Sequence, residues 1–155
     1  MEEEAPRLTT YLDLEGDGFD PNEVTVVLGI KPDSTWRRGE PFKGMRPRKH
    51  DRWSLKIGGE PSWSFEDQLN ELFALMRPKL GPLAELRKRL NAKVHITCVA
   101  VGGIPAIYFD QGMVARAAEL GAAIEVDVIH STAEENAEFD KWPDQSGQSD
   151  TSARA

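Results

Sequence analysis

The chain has 155 residues, of which 39% are hydrophobic and 29% charged, and its formal net charge is −7, all typical of one soluble domain. No window approaches the roughly 18 consecutive apolar residues of a membrane span, and the acidic residues 1–5 are unlike a secretory signal, so we expect a cytoplasmic protein. The single cysteine, Cys98, excludes an intramolecular disulfide and any all-cysteine zinc site within this sequence.

The first third of the chain predicts a strand followed by a short helix. Apolar and polar residues alternate over residues 8–14, and this period of two predicts a strand. Asp20 can cap a helix, with Pro21 at its first position and Glu23 placed to close a capping box. Gly29 then supplies a glycine stop, so we predict a helix although its β-branched residues are poor helix formers.

The middle of the chain predicts a long connection, a strand and two helices. The connection covers residues 31–51 and is rich in proline, glycine and cations. Alternation over residues 52–57 predicts a half-buried strand. Ser64 and Asp67 mark the start of an amphipathic helix, and a further helix begins near Pro82. We expect this helix pair to lie across one face of the sheet.

A hairpin is predicted at the centre of the sheet. The most apolar stretch, Lys93–Val101, is typical of a buried strand. The glycine pair at 102–103 indicates a tight turn and is not a nucleotide-binding loop, and residues 106–109 are predicted to form the second strand of the hairpin.

The last part of the chain predicts one more helix and one more strand. Asp110 can cap a helix that ends at Gly121. Alternation over residues 123–129 predicts the final strand. The composition of residues 131–155 is acidic and polar with few apolar side chains, so this tail is expected to be disordered.

The predicted order of elements is β-α-β-α(α)-β-β-α-β, an α+β fold with a mixed sheet of about five strands and helices packed on it. Residues 8–130 are expected to form a single domain, preceded by a mobile N-terminus over residues 1–7. Phe-Asp precedes a helix that ends in Leu-Gly at two places, residues 19–29 and 109–121. This faint repetition indicates two related halves.

Three motifs resemble those of a known family. They are Leu28-Gly29-Ile30 with Pro32, then Trp36 with Gly39, and finally Leu120-Gly121 with Ile124, Val126 and Asp127. With Phe19-Asp20, Trp53 and the leucine-rich helix, they are similar to the bacterial family called domain of unknown function 4279. The similarity covers roughly residues 8–130. Because that family has no established activity, the resemblance implies an architecture and supplies no catalytic residues.

Charge is segregated along the chain. Residues 37–52, here called the basic segment, hold seven Lys/Arg against two acids, so they carry +5 while the remainder carries −12. The candidate ligand-binding residues in and beside it are Trp36, Arg37, Arg38, His50 and Trp53. Guanidinium groups suit phosphate or carboxylate, and indoles can stack on a base. The alternative is that these cations form a solvated surface that balances the charge of the protein's own acids, and that both tryptophans lie in the core.

No metal site or cofactor is predicted. The acidic run, residues 13–23, partly matches a calcium loop, but Val24 stands where a bidentate glutamate is needed and Pro21 interrupts the loop. We interpret the run as a solvated strand end followed by a helix cap. The three histidines lack metal-ligand spacing, and Cys98 has the parity of a small buried hydrophobe.

These observations favour a non-catalytic protein-interaction module. No nucleophile pair, metal spacing or phosphate loop stands out, so no catalytic residue is assigned and enzymatic activity is not expected. The second hypothesis is an anionic-ligand or enzymatic pocket formed by residues 36–53. The third is nucleic-acid binding through the same residues, which would have to overcome the net charge of −7. The expected partner is another protein, without membrane association.

Overall fold

Five strands form one mixed sheet in the computed structural model, which describes residues 5–41, 46–58 and 64–130. The strands are β1 (Arg7–Gly16), β2 (Ser34–Trp36), β3 (Asp51–Ile57), β4 (Lys93–Val101) and β5 (Ala122–Ile129). Their spatial order is β2-β3-β1-β4-β5, and every neighbouring pair is antiparallel except β4 and β5, which are parallel. The predicted α+β class with a five-stranded mixed sheet is confirmed. The predicted mobile N-terminus lies partly, and the predicted tail wholly, outside the described residues.

In the described ranges four α-helices accompany the sheet: α1 (Pro21–Leu28), α2 (Phe65–Met76), α3 (Leu80–Leu90) and α4 (Gln111–Glu119), with a 3-10 helix at Arg77–Lys79 between α2 and α3. The predicted N-caps are confirmed. Asp20 accepts from the backbone N–H of Asn22, Ser64 from that of Asp67, and Asp110 from that of Met113, at 2.9, 3.2 and 2.8 Å. None of the helices in the described ranges has the length and apolar character that crossing a membrane requires.

The capping box predicted at α1 does not close in the expected way. The Glu23 carboxylate, instead of turning back to the backbone of Asp20, accepts from Arg89 of α3 at 2.5 Å. Because the helices α1 and α3 pack together, a cation is within reach of Glu23, and the ion pair replaces the local backbone bond.

The predicted central hairpin is wrong. Residues 106–109 form no strand, and the chain from Ile104 to Asp110 runs irregularly from β4 to α4. Both edges of β4 are occupied, by β1 on one side and β5 on the other, so no position is left for a hairpin partner. The fifth strand is instead β2, which lies within the predicted long connection and pairs with β3.

The hydrophobic core lies between one face of the sheet and the helices. Register places Leu12 beside Leu55 and Ile96, and these side chains pack with Leu69 and Leu86 from the helices. A buried polar contact docks α2 on β1: Gln68 Nε2 donates to the carbonyl of Leu8 (3.0 Å) and its Oε1 accepts from the Thr10 hydroxyl (2.7 Å). The opposite face of the sheet, here called the polar face, carries most of the charged strand residues.

The two predicted halves share their helix ends and differ in strand pairing. Asp20 and Asp110 are both caps, while Gly29 and Gly121 both adopt left-handed backbone, with φ of +67° and +66°. However, β4 and β5 are adjacent, whereas β3 lies between β1 and β2. The repetition therefore extends to the capped helices and not to the arrangement of strands.

Candidate functional site

The two tryptophans of the predicted ligand site lie on opposite faces of the sheet. Trp36 is in register with Arg52 on the polar face, while Trp53 is in register with Thr35 and points into the core. Trp53 is fully buried and its Nε1 donates to the Thr25 hydroxyl of α1 at 3.0 Å. The indoles therefore cannot line a common pocket, because the sheet separates them.

Trp36 is stacked against the protein's own cations. The Arg48 Cζ lies 3.9 Å from the centroid of the indole, and that of Arg52 lies 5.2 Å from it. Both arginines are buried, and only 6% of Trp36 is exposed. Cation–π contacts of desolvated groups contribute about 2 kcal/mol, so this cluster holds the basic segment down on the polar face.

Asp51, the first residue of β3, fixes the start of the basic segment. Its carboxylate accepts from the backbone N–H groups of Gly18 (2.5 Å), Phe19 (3.1 Å) and Arg38 (2.8 Å), and from Arg37 Nε (3.4 Å). Burial by itself raises the pKa of Asp51, but the three backbone donors and the Arg37 charge outweigh it and hold the pKa below its ordinary value. The sequence analysis missed this role, although Asp51 is one of only two acids in the basic segment.

Three side chains of the basic segment, Arg37, His50 and Arg52, face the acidic run. The pairs are Arg37 with Asp20 (3.7 Å), His50 with Asp17 (2.9 Å), His50 with Glu15 (3.8 Å), and Arg52 with Glu15. Arg38 is exposed and joins this arrangement through its backbone N–H. This arrangement is the one expected if the cations form ion pairs with acidic residues of the protein itself. Ligand binding by the five candidate residues stays a prediction.

A cavity of about 330 Å³ lies beside the N-terminus of α1. Two of the five candidate residues, Trp36 and Arg37, contribute to its lining, together with Asp20, Thr25 and Glu40. The lining contains two carboxylates and one guanidinium, and that guanidinium is already paired with acid. The cavity therefore has no surplus of positive charge. Its chemistry therefore does not favour an anionic ligand.

A buried polar cluster on the polar face was also missed. Asp13 is 1% exposed and accepts from the hydroxyls of Ser54 (2.5 Å) and Thr97 (3.0 Å), with Arg52 Nη1 at 3.9 Å. The alternation of β1 places Asp13 opposite to its leucines, but only the register shows that neighbouring strands bring two hydroxyls beside it. The hydroxyl protons are directed at the carboxylate, so the cluster joins three strands.

Two other predictions concern reactive groups. Cys98 is fully buried, as predicted, and burial raises the pKa of its thiol to about 11 although a side-chain hydrogen bond with Thr10 acts in the opposite direction. In the ranges that the structure describes, His, Cys, Asp and Glu form no group of three or more that could hold a metal ion.

The β5 edge, defined as the outer side of Ala122–Ile129, is a long sheet edge. Within the described chain no strand pairs with it. Ile124 and Val126 pack against the core, while Glu125 and Asp127 lie on the polar face in register with Thr97 and Val99. The other sheet edge is β2, which has only three residues.

Apolar side chains are exposed on the connection between β4 and α4. Ile104 and Tyr108 are 69% and 75% exposed, and Ile107 is also exposed. A hydrogen bond from Gly102 N–H to the carbonyl of Ile129 (2.9 Å) holds the start of this connection against the end of β5. The sequence analysis assigned these apolar residues to a strand, so their exposure was not predicted.

Comparison with known proteins assigns the chain to a family. The family described as "Domain of unknown function (DUF4279)" matches residues 6–131. The chain belongs to the DUF4279 family. The match covers the whole sheet and all four helices, so the family resemblance read from the motifs is confirmed. No curated protein and no solved structure matches the chain. Membership of DUF4279 thus gives the domain a family and leaves its activity to be inferred from its surface.

Proposed function

We propose that this DUF4279 domain is a non-catalytic protein-interaction module that binds an extended, basic segment of a partner protein along the β5 edge. The observation that carries the proposal is the outer edge of β5, which is eight residues long and pairs with no other strand in the described ranges. An unpaired strand presents a row of backbone N–H and C=O groups, and such an edge is a template for an added strand.

The length of the two sheet edges distinguishes them. At about 3.3 Å per residue, β5 offers roughly 26 Å of backbone, enough for several pairs of strand hydrogen bonds. The three residues of β2 offer very few. Short edge strands are one way in which sheets avoid unwanted pairing, so β2 is protected while β5 is available.

The side chains of β5 specify the partner's chemistry. Glu125 and Asp127 project on the polar face, and neither forms an ion pair with a described residue. On the other face Val128 is partly exposed at the rim of the core. A partner strand in which Lys or Arg alternates with apolar residues would place its cations beside the two carboxylates and its apolar side chains beside Val128.

The exposed connection after β4 enlarges the binding surface. Ile104, Ile107 and Tyr108 are exposed on the connection whose first residue, Gly102, is bonded to the end of β5, and exposed apolar patches of this kind commonly mark interaction sites. Tyrosine is frequent among the residues that dominate binding energy. We therefore expect the partner segment to extend beyond β5 and to contact this patch.

The charged groups elsewhere support binding over catalysis. The pairing of Asp51, His50 and Arg52 with their neighbours leaves these groups engaged in holding the basic segment to the sheet. The hypotheses of an anionic-ligand pocket in residues 36–53 and of nucleic-acid binding stay predictions, and the pairing of Arg37, His50 and Arg52 with the protein's own acids gives them less support.

The test measures binding of short extended peptides to the full chain by isothermal titration. A peptide in which lysine alternates with valine should bind, and one in which glutamate alternates with valine should not. The double variant Glu125→Lys, Asp127→Lys should weaken the lysine peptide by about tenfold or more. The control Glu66→Lys, Glu71→Lys makes the same change in net charge on the exposed side of α2 and should leave binding unchanged.

A second arm separates strand addition from attraction between charges alone. N-methylation of alternate residues of the lysine peptide removes backbone donors and keeps every charge, so binding should be lost. Equal binding of the methylated peptide, or equal loss in both double variants, would refute pairing along β5.

A further inference from the structure

A second recess lies on the helical side of the molecule, and none of its lining residues belongs to β5 or to the basic segment. It is a cleft of about 400 Å³, here called the α2/α4 cleft. Its apolar wall consists of Phe73, Leu80 and Leu120, and its charged residues are Arg77, Arg116 and Glu119. The volume falls within the range of roughly 300–1,000 Å³ that is usual for small-molecule sites.

The cleft combines an apolar surface with two guanidinium groups. Phe73 and Leu120 are buried members of the core, and Arg116 Cζ lies 6.0 Å from the centroid of the Phe73 ring. Neither Arg77 nor Arg116 forms a salt bridge with a described residue. In the basic segment, by contrast, Arg37 faces two carboxylates.

A third arginine, Arg87, packs on the residue that follows the cleft wall. The Arg87 guanidinium packs so closely on Gly121 that a Cβ at residue 121 would lie 2.0 Å from its Cζ. Gly121 directly follows Leu120 of the wall. The Arg87 Nε is buried and has no hydrogen-bond partner among the described residues. Buried donors without acceptors are uncommon, and this one belongs to a side chain that packs on the residue directly after the cleft wall.

We propose that the α2/α4 cleft binds an amphipathic organic monoanion. The carboxylate of the ligand lies between Arg77 and Arg116, which suit it through planar, charge-assisted hydrogen bonds. Its apolar body covers Phe73, Leu80 and Leu120. Two guanidinium groups against the one carboxylate of Glu119 give the lining residues a surplus of one positive charge, so a monoanion matches the site better than a dianion.

The experiment uses the full chain and 4-phenylbutyrate as the probe, with binding measured by titration calorimetry. The neutral control 4-phenylbutan-1-ol keeps the body and removes the charge, and butyrate keeps the charge and removes the ring. Saturable binding of 4-phenylbutyrate is expected, with each control at least about tenfold weaker because an ionic hydrogen bond or the ring burial is lost.

Variants locate the site. Arg77→Gln and Arg116→Gln should each weaken 4-phenylbutyrate by about tenfold, and Ala74→Trp, which fills the cleft without changing charge, should abolish binding. Arg46→Gln, an exposed arginine of the basic segment, makes the same chemical change elsewhere and should have no effect.

Absence of saturable binding, equal affinity for the acid and the alcohol, or an equal loss in Arg46→Gln would each overturn the proposal. Binding of the lysine peptide tests the two proposals separately. Arg77→Gln and Arg116→Gln leave the β5 edge intact, so both variants should bind the lysine peptide as the parent chain does.

Discussion

The carboxylate of Asp51 accepts a hydrogen bond of 2.8 Å from the backbone N–H of Arg38. The two residues lie near the two ends of the basic segment, so this bond joins the start of the segment to the start of β3. The same carboxylate also accepts from Gly18 and Phe19 at the entry to α1. One buried anion therefore joins three segments that are distant in the sequence.

The Asp51 contacts predict an acid-sensitive contribution to stability. Asp51→Asn keeps the size of the side chain but removes its charge and one acceptor, and should lower the free energy of unfolding at about pH 7 by about 1–3 kcal/mol. The folded pKa lies below the ordinary value of 3.8. The stabilisation is thus fully present above that value and is lost as the pH falls through the lower folded pKa.

Urea unfolding between about pH 7 and pH 2 checks this prediction. The difference between the parent chain and Asp51→Asn should shrink as the pH falls below about 4. Asp67→Asn, at an exposed position of α2, should show a small difference throughout. A difference between parent and Asp51→Asn that is constant with pH would contradict the ionised role of Asp51.

The buried cluster around Asp13 predicts an unequal cost for its members. Asp13→Ala removes the acceptor that the Ser54 and Thr97 hydroxyls share, and it also removes the carboxylate beside Arg52. We therefore expect the free energy of unfolding to fall by about 3–5 kcal/mol. Ser54→Ala removes one donor and should cost about 1 kcal/mol. Chemical denaturation of both variants provides the comparison, and equal costs would show that Asp13 is not the centre of the cluster.

Local signals in the sequence were sufficient for the capped helices and for the alternating strands. Asp20, Ser64 and Asp110 cap their helices because the cap depends on residues within one turn. Alternation likewise identified β1 and β3, because a strand with one buried face shows alternating apolar and polar residues in its own sequence. These features need no knowledge of distant partners.

Strand pairing and side-chain partners needed the tertiary structure. The apolar run at 106–109 has the composition of a strand, yet β1 and β5 already occupy both edges of β4. In β2 three residues are too few for a periodic pattern, and Trp36 and Trp53 could be assigned to opposite faces only from the register. The α2/α4 cleft brings Arg77 and Arg116 together from separate helices, and no spacing in the sequence indicates this.

The raised pKa of Cys98 predicts that its thiol is unreactive in the folded protein. With burial raising that pKa to about 11, the folded protein should not react measurably with Ellman's reagent at about pH 8, because the thiolate is the reactive form. Addition of denaturant exposes the residue and should release one equivalent of chromophore. Rapid labelling of the folded chain would show that Cys98 is accessible.

Gly29 and Gly121 provide a matched pair for separating backbone strain from steric conflict. Both have φ near +66°, so replacement by alanine strains the backbone equally at the ends of α1 and α4. A Cβ at residue 29 meets only Lys79 Nζ at 3.8 Å, whereas one at residue 121 collides with the Arg87 guanidinium. Gly29→Ala should cost about 1 kcal/mol, and Gly121→Ala should cost more.

The double variant Arg87→Ala, Gly121→Ala identifies the source of the difference. If the guanidinium causes the extra cost, the free energy lost on adding Gly121→Ala to an Arg87→Ala background should fall to the value measured for Gly29→Ala. Thermal or urea unfolding of the four chains completes the cycle. Equal costs for Gly121→Ala with and without Arg87 would mean that the arginine moves aside freely, and that it is not held against the cleft wall.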